Sequence, residues 1–250
     1  MNAAIDPSLG IIAASAAIIL LAYFIRGISG FGSGLIAVPL LAHFLPLTFV
    51  VPFVLILDFT ASAAMSGKTR KHARWDEIKP LLPFSILGVV LGVVMLMKLP
   101  KEPLLTGLGI FVMAFGLRNA LNIHGEKLIS RWWAAPAGLT GGTVGALFGT
   151  GGPPYVIYFS HRLRDKAEIR ATFSGLFLLD GGLRIVTFLI AGLLLQPGIL
   201  PALAGAMPLM VLGLYLGNKV HVGLSNQQML RLIGVLLVGS GTSLIWKAWA

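Results

Sequence analysis

Residues 145–159 read GALFGTGGPPYVIYF, which sets four glycines and two prolines inside sequence otherwise as apolar as a membrane helix. Glycine and proline are the poorest helix formers, and proline also removes a backbone donor. A soluble domain would put such a turn on its surface, but hydrophobic sequence on both sides places this one at membrane depth. In hydrocarbon every backbone group must be paired, so an irregular segment persists only where protein covers it or where it lines a polar cavity. The stretch predicts a membrane helix that is broken to build something.

The rest of the chain fits that solvent. Of 250 residues, 56% are hydrophobic and only 11% charged, with a mean hydropathy of +0.89, which is outside the range of soluble domains and predicts a polytopic membrane protein. Cysteine is absent, so neither a disulfide framework nor a thiolate metal site can form. No HExxH, GxSxG or GxxxxGK[ST] pattern occurs; no metal, no cofactor, no enzymatic nucleophile and no ATP-driven pump is expected. The opening MNAAIDPSLG carries Asp6 and no Lys or Arg, which argues against a cleaved signal peptide. A net charge of +10 could suggest nucleic acid, but the basic residues are spread over short loops without aromatic interleaving. No nucleic-acid partner is expected, and the charge reads as a topology signal in a lipid bilayer.

Apolar stretches fall at about 9–25, 28–45, 47–66, 80–98, 103–120, 133–149, 152–160, 171–191, 199–217 and 229–247, most of them near the ~20 residues that a spanning helix needs. The loop holding Lys68, Arg70, Lys71, Arg74 and Lys79 is the most basic. With that loop in the cytoplasm, alternate loops place 15 of the 19 basic residues on the same side, leaving Lys98, Lys101 and Lys247 outside and Arg184 within a segment. The asymmetry obeys the positive-inside rule and puts both termini outside.

The opening stretch has a counterpart. Phe31-Gly-Ser-Gly34 and Phe148-Gly-Thr-Gly151 lie 117 residues apart, and each is followed by a lone aspartate in apolar surroundings, Asp58 and Asp180. Residues 1–125 and 126–250 therefore read as two repeats of about five segments, each a helical hairpin broken at its Gly-rich part and followed by three crossings. An odd net number of crossings per half inverts the second repeat. The expected fold is an all-α polytopic membrane protein of 8–10 membrane segments, two inverted repeats with Gly-rich broken or re-entrant hairpins. Secondary transporters of this kind bind substrate near the midplane where the repeats meet. Broken ends expose N–H groups and the positive end of the helix dipole, which attract anions. Gly32, Gly34, Gly149, Gly151 and Gly152 would allow close approach, with Ser29, Ser33 and Thr150 as hydroxyl donors. Pro153 and Pro154 suit the first turn of a new helix. Gly88/Gly92 and Gly138/Gly142 have the small-xxx-small spacing of helix packing instead.

Intramembrane charge is costly unless it serves a purpose. Arg184 follows Asp180 by four residues, so the two share a helix face. They could form a simple intrahelical ion pair, or Arg184 could hold an anion with its planar fork while Asp180 orients it. Arg26 is either an anion contact or a cytoplasmic anchor. Tyr155 could donate to substrate or pack. Asp58 and Asp180 are candidates for coupling transport to protons. His43 reads as interfacial, as do the tryptophans at segment ends.

The motifs GISGFGSGLIAVPLL and GALFGTGGPPYVIYF, with the basic loop KTRKHARWDE, resemble the paired glycine-rich motifs of the sulfite exporter TauE/SafE family of bacterial membrane transporters, over nearly the whole chain. The resemblance implies a multi-pass protein of the bacterial inner membrane, a secondary transporter exporting small sulfur-containing anions such as sulfite or organosulfonates. An uncoupled anion channel or facilitator is the alternative.

Overall fold

The computed structural model describes residues 8–29, 32–65, 73–121, 129–219 and 226–249, and every regular element in it is helical. The basic loop residues Lys68, Arg70 and Lys71, and Phe31 of the first motif, lie outside the described residues. The helices are α1 (Leu9–Ser29), α2 (Ser33–Leu41), α3 (Leu47–Met65), α4 (Trp75–Ile78), α5 (Leu82–Lys98), α6 (Lys101–Ala120), α7 (Ala134–Phe148), α8 (Gly152–Arg162), α9 (Lys166–Ile190), α10 (Ile199–Lys219) and α11 (Asn226–Trp249). Each apolar stretch of the sequence corresponds to one helix, with ends differing by a few residues. The short helix α4, in the predicted cytoplasmic connection, has no counterpart among those stretches.

Among the described residues, four segments are long and apolar enough to cross a membrane: Leu9–Ile28, Leu47–Ala64, Ala171–Ile190 and Ile199–Lys219. Leu82–Lys98 and Ile233–Trp249 are shorter apolar helices. With nine and eleven residues, α2 and α8 reach about half the thickness of a hydrocarbon core at 1.5 Å per residue.

The chain forms two compact units, each assembled from separate pieces of sequence: residues 1–57, 99–123 and 194–250 in the first, 58–98 and 124–193 in the second. In the first unit α1 packs along α10, and α6 along α11; in the second α5 packs along α7. Bare backbone makes these seams. A Cβ on Gly88 would stand 2.3 Å from the Leu139 carbonyl oxygen, one on Gly92 2.5 Å from that of Thr143, and one on Gly142 2.4 Å from that of Ser85. The α1–α10 seam has Gly217 against the Phe24 carbonyl at 2.1 Å, and the α6–α11 seam has Gly241 against that of Gly109 at 2.6 Å. Small residues let helices approach where lipid provides no hydrophobic drive, and Gly88/Gly92 and Gly138/Gly142 do so as their spacing indicated. The opposite faces of α5 and α10, with Leu87, Leu91, Val211 and Leu212, are apolar and exposed, as a lipid-facing surface requires. Trp75, Trp132, Trp133, Trp246 and Trp249 are all exposed near helix ends, and His43 is engaged by the Pro39 carbonyl and by Ser243, each at 2.9 Å.

Candidate functional site

In the second unit α7 ends at Phe148 because Gly149 turns left-handed (φ 67°), a conformation that excludes most side chains. Helix α8 begins at Gly152 with Pro153 and Pro154 in its first turn. Neither proline has an N–H, so the donors left at this turn are the backbone amides of Thr150, Gly151 and Gly152. The chain doubles back tightly: a Cβ on Gly151 would meet the Gly141 carbonyl oxygen at 2.6 Å, and one on Gly141 would lie 2.5 Å from the Tyr155 ring.

Arg184 of α9 reaches this turn. The residue is 1% exposed, and its Nη1 donates to the Gly145 carbonyl at 2.9 Å, an oxygen that also accepts from Gly149 N–H. The cation thus sits at the negative end of the α7 dipole. From the point where a Gly145 Cβ would stand, Gly151 Cα is 3.3 Å away and the guanidinium carbon 3.5 Å, so the guanidinium lies beside the α8 N-terminus. The Phe177 ring stacks under it, 5.5 Å from Arg184 Cζ to the centroid.

Asp180 holds the arginine from one turn earlier, with Arg184 Nε 2.9 Å from Asp180 Oδ2. Its other oxygen accepts 2.7 Å from Ser85 Oγ, and the Tyr155 hydroxyl, 3.1 Å from the same oxygen, is also 2.9 Å from Ser85 Oγ. A chain of donors from Tyr155 through Ser85 to Asp180 satisfies all three groups. Three buried side-chain atoms here, Arg184 Nε, Arg184 Nη2 and Thr150 Oγ1, have no hydrogen-bond partner among the described residues, and of these Nε faces Asp180 Oδ2 as an ion pair. Buried polar groups are nearly always paired, so Arg184 Nη2 and Thr150 Oγ1, with neither a hydrogen bond nor an ion-pair contact beside one helix N-terminus, mark a place where a ligand oxygen would be welcome.

The first unit holds the other Gly-rich stretch, of which residues 30 and 31 lie outside the described part. Helix α1 ends at Ser29, whose side chain lies outside the described part, and α2 starts after Gly32, held left-handed at φ 95°. Arg26 in the last turn of α1 donates from Nη1 to Ser33 Oγ at 2.9 Å, and both residues are buried, as is Gly34. Asp58 is buried on α3. Of the sequence-expected residues, Arg26 and Ser33 are in direct contact within unit 1. Gly149, Thr150, Gly151, Gly152, Tyr155, Asp180 and Arg184 gather at one end of α8 in unit 2.

Two residues of weight were not singled out in the sequence. Ser85 is fully buried on α5; its signal was a hydroxyl three residues before Gly88, on the face that packs against α7. Glu77 on α4 is 2% exposed at the other end of unit 2. Arg162 grips it with two bonds, Nη2–Oε1 2.6 Å and Nε–Oε2 3.1 Å, and Tyr158 donates to Oε2 at 2.8 Å. Burial pushes the Glu77 carboxyl up, but the bonds from Arg162 and Tyr158 and the charges of Arg162 and Arg131 outweigh it and hold it below its ordinary value. Beside it Asp76 is paired with Arg74 at 3.0 Å and with Arg131 at 3.1 Å.

Comparison with known proteins agrees on one family. The family described as sulfite exporter TauE/SafE matches residues 15–244. The chain is 30% identical to "Probable inner membrane transporter protein TsaS" of Comamonas testosteroni over 201 residues, covering 78% of this chain and 82% of that one. It is 26% identical to "Probable sulfite/organosulfonate exporter TauE" of Cupriavidus necator over 234 residues, covering 90% of each. No solved structure matches the chain.

Proposed function

The chain belongs to the sulfite exporter TauE/SafE family, is therefore a membrane transporter and not an enzyme, and we propose that it carries small sulfur-containing anions, as sulfite or organosulfonates, out across the bacterial inner membrane. The inner-membrane placement follows the name of the Comamonas relative, and the substrate class follows that of the Cupriavidus relative. Several helices long and apolar enough to span support the multi-pass part.

One observation carries the site. Arg184 Nη2 and Thr150 Oγ1, both buried and unpartnered among the described residues, stand at the α8 N-terminus with Gly151 and Gly152. A sulfonate or sulfite presents three oxygens on one face, which fits a guanidinium fork edge, a hydroxyl and backbone amides. Asp180 and Tyr155 hold the arginine in place, and Gly149 makes the turn. In the first unit Arg26, Ser33, Gly32, Gly34 and Ser29 are proposed as the corresponding substrate contacts. Asp58 and Asp180 are proposed as the groups through which proton movement couples to transport.

The same reading takes residues 1–125 and 126–250 as inverted repeats. Its support is reciprocal packing: the first helix of one half (α1) runs along the fourth of the other (α10), and α7 runs along α5, the fourth of its half once the one-turn α4 is set aside. The last helices of the two halves, α6 and α11, pack on each other.

The test is ligand-dependent thermal stabilisation of the detergent-purified protein, since a ligand that binds only the native state raises its stability by mass action. Sulfite and methanesulfonate are expected to raise the midpoint where acetate and chloride do not, and Arg184→Ala is expected to abolish the shift. Equal responses to all four anions, or an unchanged response in Arg184→Ala, would refute the site.

A further inference from the structure

Resting on that reading, the geometry points to Asp180 as the residue that sets the charge of the transported anion: we infer that the site accepts monoanionic sulfur oxoanions and rejects dianions. Within unit 2, and among the described residues, Arg184 is the cation that reaches the α8 N-terminus, and its charge is already matched. Asp180 Oδ2 lies 2.9 Å from Nε, and the two side chains are 1% and 2% exposed. An anion arriving at Nη2 therefore meets a pair with no net charge, plus the partial positive end of α8, equivalent to roughly half a unit charge. A monoanion leaves a small net negative charge in a dry site. A dianion of the same headgroup leaves an extra full charge buried without a partner, which low-dielectric surroundings penalise heavily.

Asp180 is kept in this role by its neighbours. Ser85 donates to Oδ1 at 2.7 Å and Tyr155 lies 3.1 Å from the same oxygen, so the carboxylate is fixed toward Arg184 and cannot turn away to expose the bare cation. Ser85 is a positioning residue for this selectivity.

The discriminating probes are methanesulfonate and sulfate, which share tetrahedral sulfur and differ by one charge. Binding is measured by thermal stabilisation of the full-length protein in neutral lipid nanodiscs at matched ionic strength. Wild type is expected to bind methanesulfonate at least about tenfold tighter than sulfate. Asp180→Asn, which keeps the side-chain size and frees the arginine charge, is expected to bring sulfate to within about threefold of methanesulfonate or to reverse the order. A ratio that stays the same in a folded Asp180→Asn protein overturns the inference while leaving sulfur-anion binding intact.

A second measurement needs no variant. Sulfite passes from hydrogensulfite to the dianion as pH rises across neutrality, while methanesulfonate stays a monoanion. The apparent affinity of wild type for total sulfite is expected to fall over that range relative to methanesulfonate; parallel curves overturn the inference. If none of these anions stabilises the wild type, the transporter-site reading falls with it.

Discussion

Arg184 Nε lies 2.9 Å from Asp180 Oδ2, one helical turn apart, with both side chains sealed from solvent. Removing one partner of such a pair strands the other. Arg184→Ala is expected to destabilise the protein by about 3–5 kcal/mol, because the Asp180 carboxylate keeps only Ser85 and Tyr155. The double variant Arg184→Met with Asp180→Leu is expected to be more stable than Arg184→Ala, since no buried charge remains. Thermal midpoints of the three purified proteins check the order; a double variant no better than the single would show that the pair is not coupled.

The helix seams give a prediction with an internal control. A methyl group on Gly88 would press 2.3 Å from the Leu139 carbonyl, and one on Gly217 2.1 Å from that of Phe24, while around Gly205 and Gly239 nothing stands within 4 Å. Gly88→Ala and Gly217→Ala are expected to cost about 1–3 kcal/mol by forcing helices apart. Gly205→Ala and Gly239→Ala, in open helical positions, are expected to be neutral or to stabilise by up to about 1 kcal/mol. Four unfolding midpoints decide it.

What could be read from the sequence follows from what the bilayer enforces. Apolar runs have only one way to satisfy their backbone in lipid, so helix positions were legible; the short α2 and α8 begin where the clustered glycines stop, at Ser33 and Gly152, because a run of glycine and proline weakens a helix where a single one does not. The Asp180–Arg184 pair was legible because four residues bring side chains onto one face. The link from Ser85 to Asp180 spans 95 residues, and no local periodicity encodes which face of α5 meets α9. Glu77 escaped for another reason: WDEIK reads as a solvated charge run, and only the fold brings Arg162 and Tyr158 over its carboxylate.

That cluster has a pH signature. Glu77 is held below its ordinary value of 4.5, so its folded pKa is lower than its unfolded one. The contribution is fully present above the unfolded value, which includes neutral pH, and is lost as pH falls through the folded value. Glu77→Gln is expected to cost about 2 kcal/mol at neutral pH, less than a wholly buried pair because Arg162 is 21% exposed. The gap between variant and wild type is expected to narrow on acidification below that value. Stability followed by chemical denaturation at several pH values reads both effects, and a gap that stays constant into acid would remove Glu77 as their source.

Thr150 separates ligand binding from folding. Thr150 is 4% exposed between α7 and α8, and its buried hydroxyl has no hydrogen-bond partner among the described residues. A buried hydroxyl without a partner costs stability, so Thr150→Val, which swaps it for a methyl of like shape, is expected to leave the ligand-free stability unchanged or raise it by about 1 kcal/mol. If that hydroxyl donates to a bound oxoanion, the same variant loses a charge-assisted hydrogen bond of about 1.5–3 kcal/mol, a weakening of roughly ten- to hundredfold in methanesulfonate affinity. Thr150→Ser retains the donor and is expected to bind within about threefold of wild type. A Val variant that is as stable as wild type yet fails to bind, with Ser restoring the affinity, assigns the hydroxyl to the ligand. A Val variant that binds normally would move the anion away from Thr150 and leave Arg184 Nη2 and the Gly151 and Gly152 amides as its contacts.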